Sequence, residues 1–180
     1  MTYLLLLICI GLGALMLRNR IGFTAQQPEH YADGQRFDIR EHLNGPMICE
    51  GVLYGPLGRV STRFVAQMHG HWDGNKGHLV ENFVYESGEE HKREWFLTTH
   101  NNDQIDAEAP DVIGTGIGTQ KGSAVQLKYR LQLPESGGGH VLDVTDWMYL
   151  LPNGTVVNRS QMRKFGIKVA ELVATMRKAA

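Results

Sequence analysis

Cysteine is nearly absent: Cys9 and Cys49 are the two in 180 residues. That scarcity excludes a disulfide-stapled scaffold and a zinc site built on thiolates. A bridge between the two would have to join the apolar N-terminal run to the first strand-like segment, so none is expected. Proline is also scarce, at 6 against 21 glycines, the balance of a chain that turns often and tightly. Neither sign of charge is in excess, with 18 basic residues facing 19 acidic ones. Nothing there neutralises a phosphate backbone, and nucleic acid is not an expected partner. Gly-x-Ser-x-Gly and His-Glu-x-x-His are both missing, so no catalytic residue, metal or cofactor is assigned. What remains is an ordinary globular composition, 42% hydrophobic and 21% charged, which is too apolar for wholesale disorder.

Only one long apolar run occurs, from Tyr3 to Leu17, and it carries no charge. As a helix it rises roughly 22 Å, short of the roughly 30 Å hydrocarbon core. Arg18 and Arg20 can snorkel, and Ile21, Gly22 and Phe23 extend the stretch behind them. Met1-Thr2 lacks the basic start of a secretory signal, which favours a retained membrane anchor over 1–23. The arginines after the run favour the cytoplasmic face. Residues 24–45 are polar and read as a connector, with a short helical turn around Asp38 to Leu43.

From 46 to 180 the signal is β: short alternating runs punctuated by glycine turns. Phe64, Ala66, Met68 and Trp72 share one face of a long run that starts at Val60. Val125, Leu127, Tyr129, Leu131 and Leu133 share one face of the cleanest strand. The segment 141–151 is apolar on both faces and needs cover on both. Phe165, Val169, Leu172, Val173 and Met176 fall at helical spacing and predict a closing helix. The expected fold is mainly all-β: an antiparallel up-and-down barrel with a C-terminal helix packed outside and a membrane helix before it.

Two constellations could carry chemistry. If Gly88 takes the left-handed position of a three-residue hairpin, Glu81 falls opposite Arg93 and Leu79 opposite Trp95, all on the apolar face. An inward acid and an inward arginine are expected to pair, because a lone buried charge is costlier. Read as a two-residue turn, Asn153-Gly154 places Arg159 opposite Met148 and diagonal to Asp146 on one inward face. These four charged residues, with Trp72, Phe83, Tyr85 and Trp95, are the candidate ligand-binding set. The same arrangement also fits a structural network filling the barrel. His69-x-His71 lies on a polar face and reads as solvated. The alternate glycines of Gly114-Thr115-Gly116-Ile117-Gly118 read as close packing or a bulge rather than a phosphate loop.

Gly70-x-Trp72, Leu79-x-Glu81-x-Phe83-x-Tyr85, Arg93-x-Trp95, Asp111-Val112-Ile113-Gly114, Asp146-Trp147-Met148-Tyr149-Leu150, Asn158-Arg159 and Lys164-Phe165-Gly166 together resemble the DUF3833 family. This is an uncharacterised bacterial family, many of whose members are predicted lipoproteins. The resemblance spans roughly residues 45 to 175 and implies a calycin- or lipocalin-like barrel in a Gram-negative bacterium, with no settled activity. Ile8 before Cys9 departs from a lipoprotein site. The expected function is a membrane-tethered, non-enzymatic protein binding a small apolar or amphipathic, lipid-like molecule. The alternatives are an accessory protein of a membrane-associated assembly whose barrel fills itself, and an enzyme on a lipid-like substrate. The expected location is the bacterial inner membrane. The arginines favour its cytoplasmic face and the resemblance its periplasmic one.

Overall fold

The computed structural model describes residues 22–179. Ten antiparallel strands follow one another around a closed barrel: β1 (Gly45–Tyr54), β2 (Val60–Asp73), β3 (Lys76–Tyr85), β4 (Glu90–Thr99), β5 (Gln104–Glu108), β6 (Gly116–Lys121), β7 (Ala124–Gln132), β8 (Val141–Leu150), β9 (Val156–Lys164) and β10 (Ile167–Lys178). Each strand pairs with its sequence neighbours, and β10 returns to β1 with Cys49 opposite Met176. Closure removes the exposed edges that would otherwise template aggregation. Alternation then sends every second side chain into one interior.

The expected C-terminal helix is corrected to β10 by this closure. Leu172, Ala174 and Met176 alternate inward, while Glu171, Val173 and Thr175 face out. Helical spacing and strand alternation coexist in this segment, and only β10 can satisfy both the free edge of β1 and that of β9. The calycin- or lipocalin-like fold is corrected as well. Lipocalin barrels have eight strands, whereas ten close this one.

The expected membrane helix over 1–23 lies outside the described residues except for Gly22 and Phe23. There the chain does not continue an apolar helix. Gly22 has φ 81°, and Phe23–Ala25 forms one 3-10 turn whose Phe23 ring sits 5.2 Å from the Arg159 guanidinium. Among the described residues no helix is long and apolar enough to cross a membrane. The described residues thus give no support to the membrane tether, the membrane partner or the inner-membrane location.

The 24–45 segment is attached to the barrel along its length. Asp38 caps a single-turn helix, α1 (Ile39–His42), by accepting from Arg40 N at 3.0 Å. Phe37, Ile39 and Leu43 around it are at most 3% exposed and plug one end of the barrel. Gly70 makes that approach feasible, because a Cβ there would meet the Leu43 carbonyl oxygen at 1.9 Å. Tyr31 lies over the outer faces of Trp147 and Tyr149, 5.5 and 5.3 Å between ring centroids. Tyr31 and Tyr149 both donate to Gln26 Oε1. Tyr31 and Gln26 thus cover the outer apolar face of β8 that the sequence assigned to a helix.

Candidate functional site

The opposite end of the barrel has no plug among the described residues. Half-buried Phe83, Tyr85, Val112, Leu131, Met162 and Leu172 pack there against the core. Between plug and mouth lies a cavity of about 110 Å³. Its wall combines aliphatic and aromatic side chains with Glu81, Arg93, Tyr129, Asp146, Asn158 and Ser160.

The β3–β4 hairpin positions half of this polar group. Its register sets Glu81 opposite Arg93 and Leu79 opposite Trp95, as the sequence implies. The expected closed ion pair between Glu81 and Arg93 does not form. Arg93 turns to Asp111, which stands in the connection between β5 and β6. Its Nη2 donates to Oδ1 at 3.2 Å, and its Nε sits 2.9 Å from Oδ2 at an ion-pair distance without hydrogen-bond alignment. The guanidinium also stacks 4.2 Å over the Trp95 ring and lies 5.7 Å from the centre of the Tyr129 ring. Glu81 lines the same cavity as the Trp95 indole. Burial pushes its carboxyl up to about 7, against the partial pull of Arg93.

The β8–β9 hairpin supplies the rest and corrects the second expected pair. Trp147, not Met148, stands opposite Arg159, so Arg159 points outward. It meets Glu171 at 2.6 Å on the barrel's outside, where Lys168, also at 2.6 Å, helps hold that carboxyl at about 2 despite its partial burial. Asp146 faces the cavity and accepts from Asn158 Nδ2 and, at 2.7 Å, from Ser160 Oγ. Burial raises its carboxyl above the ordinary range, against those two donors.

Of the candidate residues, Glu81, Phe83, Arg93, Trp95 and Asp146 therefore share the cavity. Tyr85 stands at the mouth, its ring 6.2 Å from those of Phe64 and Phe83. Trp72 is drawn to the plug instead, donating from Nε1 to Leu43 O at 3.1 Å. Sequence reasoning missed Tyr129, Asn158, Ser160 and Asp111 as members of the site. Strand alternation already pointed Tyr129 inward, and a corrected hairpin register would have found Asn158 and Ser160. Asp111 lies outside the named strands and gave no periodic signal.

Three carboxyls thus surround one guanidinium. Cys49 also lines the cavity, but burial pushes its thiol up to about 12, so it is no thiolate nucleophile near neutrality. The cavity wall includes no histidine to activate Ser160. Hydrogen bonding and charge recognition are the chemistry this arrangement offers.

The fold and its interior define a closed, ten-stranded antiparallel barrel with a polar cluster in an apolar cavity. The chain belongs to the DUF3833 family, described as a protein of unknown function, whose pattern it matches over residues 18–178. No curated protein matches it. Among solved structures it is similar to a redesigned beta barrel, at 12% identity and a TM-score of 0.43, covering 82% of this chain and all of that one.

Proposed function

We propose that the barrel interior binds a small, mainly apolar molecule that enters through the mouth between Tyr85, Val112 and Met162. The observation that carries this reading is the cavity itself: aromatic and aliphatic walls with a few convergent polar groups, open toward an apolar rim. Its size selects the ligand. A dry apolar cavity of roughly 150 Å³ accepts benzene, so about 110 Å³ suits a ring-sized molecule. A long acyl chain exceeds it. A barrel filled entirely by its own side chains would leave no such space.

The test is thermal unfolding with increasing benzyl alcohol. A ligand that binds only the folded state raises Tm with concentration, and Trp95 fluorescence should shift in parallel. Cys49→Phe, placed on the cavity wall, should keep the fold by circular dichroism and lose the response. A folded protein whose Tm and fluorescence ignore the probe would rule the reading out.

A further inference from the structure

We infer that the molecule this cavity accepts is an organic amine in its protonated form, a small apolar body whose ammonium turns toward Glu81 and Asp146. The inference rests on the interior-binding reading and adds the charge of the ligand. Arg93, a cation expected inside, is already engaged by Asp111 and the rings of Trp95 and Tyr129. Arg159, the other cation expected inside, is on the outer surface with Glu171. Glu81 and Asp146 are left facing the cavity, the second held by neutral donors only, Asn158 and Ser160. Among the described residues no ion pair reaches either carboxyl. An anion brought into this cavity would meet that acidic excess without a free cation.

A buried carboxylate without a counter-charge is unfavourable enough that the group holds its proton instead. Burial acts this way on both acids, pushing Glu81 up to about 7 and Asp146 above its ordinary range. An ammonium in the cavity supplies the missing charge and expels that proton. The walls suit the remainder of such a molecule, since Trp95 and Tyr129 meet edge to face at 5.1 Å and Phe64 and Phe83 at 5.3 Å. The groups facing Glu81 are Cys49 on β1, Arg93 on β4, Tyr129 on β7, Asp146 on β8, Asp111 beyond β5 and Tyr85 farther along β3. The Cys49 thiol, both tyrosine hydroxyls and Arg93 stay protonated near neutrality, since each is held at or above its ordinary high value. The proton exchanged near neutrality is therefore that of Glu81.

The experiment titrates benzylamine, benzyl alcohol and benzoate into the full chain by calorimetry, at about pH 5.5 and about pH 8. Benzylamine should bind on the order of tenfold more tightly at the higher pH, because the carboxyl is then largely ionised. Its heat should vary with the buffer's ionisation enthalpy, which reports a released proton. Benzyl alcohol should bind equally at both pH values, and benzoate more weakly than either. Glu81→Gln should lose most of the pH dependence for benzylamine. Should Glu81→Gln fail to fold, Asp146→Asn and the buffer dependence of the unaltered protein decide the matter. Benzylamine binding no better than benzyl alcohol, or with no pH dependence, overturns the amine inference and leaves interior binding standing. Failure of all three probes overturns both.

Discussion

The β3–β4 and β8–β9 hairpins turn with the same geometry yet place their charges differently. In the first, Tyr85 N donates to Glu89 O at 2.9 Å, Gly88 N to Tyr85 O at 2.8 Å, and Gly88 has φ 84°. In the second, Leu151 N donates to Thr155 O at 2.8 Å, Gly154 N to Leu151 O at 2.9 Å, and Gly154 has φ 81°. Both are three-residue loops with a left-handed glycine last. The first sends acid and arginine inward together. The second sends Asp146 in and Arg159 out, because 146 and 159 differ by an odd step in that register. A single residue of offset moves a whole strand to the other face of a sheet. The composition of the cavity wall, two acids and one arginine, follows from that offset.

The comparison is broken most severely through the two arginines. Arg93→Met removes the cation from a largely buried pair, and losses for such pairs run to about 3–5 kcal/mol. The lower end is expected here, since Asp111 keeps 31% of its side chain exposed. Arg159→Met removes an ion pair whose arginine is 45% exposed, and such pairs contribute about 0–1 kcal/mol. Urea unfolding of both variants measures the difference. Equal losses would mean that Arg159 is as buried as Arg93 and that the second hairpin has the other register.

Glu81 offers a somewhat smaller effect with a definite sign. Its carboxyl is raised from 4.5 to about 7 in the fold, so the folded state holds its proton longer than the unfolded chain does. The stabilisation is complete below about pH 4.5 and is lost as pH rises through about 7, by on the order of 3 kcal/mol for such a shift. Asp146, shifted in the same direction, adds to the fall. Glu81→Gln should flatten most of this slope and match or exceed the unaltered protein's stability at about pH 8. A closed Glu81–Arg93 pair predicts the reverse slope, with stability rising through the acid range. Urea midpoints across that range separate the two.

Much of the barrel was legible because alternation is a direct consequence of strand geometry. The inward sets of β2, β7 and β8 and the Glu81–Arg93 register follow from period and turn alone. The failures have separate physical causes. In β10 the apolar residues satisfy two periods at once, and pairing with β1 decides between them. In the plug, Phe37, Ile39 and Leu43 are three apolar residues among polar ones, too few to announce a buried element. Phe37 N donates to Gly122 O at 2.7 Å, a long-range contact that fixes the segment and that no local pattern encodes. Arg93 was lost to Asp111 for the same reason: its partner lies in a connection without periodicity. The site's charge balance depended on that partner and on one turn residue, Pro152.

Pro152 carries the smallest and most discriminating prediction. Asn-Gly between strands ordinarily signals a two-residue type I′ turn, in which both residues need positive φ. Proline at Pro152 has its φ set near −65° and instead suits the second position of a type I turn, with Asn153 third and Gly154 left-handed after it. Gly154 accordingly has φ 81°, while Asn153 is not among the described non-glycine residues of positive φ. Gly88→Ala and Gly154→Ala should therefore cost the same, about 1 kcal/mol each, since both put a Cβ into the left-handed region with nothing within 4 Å. Asn153→Ala should cost less than about 1 kcal/mol, the loss of the bond its Oδ1 accepts from Thr155 N at 3.0 Å. Asn153→Gly measures the backbone directly. It relieves strain and stabilises in a type I′ turn, but it only adds unfolded-state freedom here and destabilises slightly. A stabilising Asn153→Gly would restore the two-residue turn, return Arg159 to the interior and cancel the cavity's acidic excess.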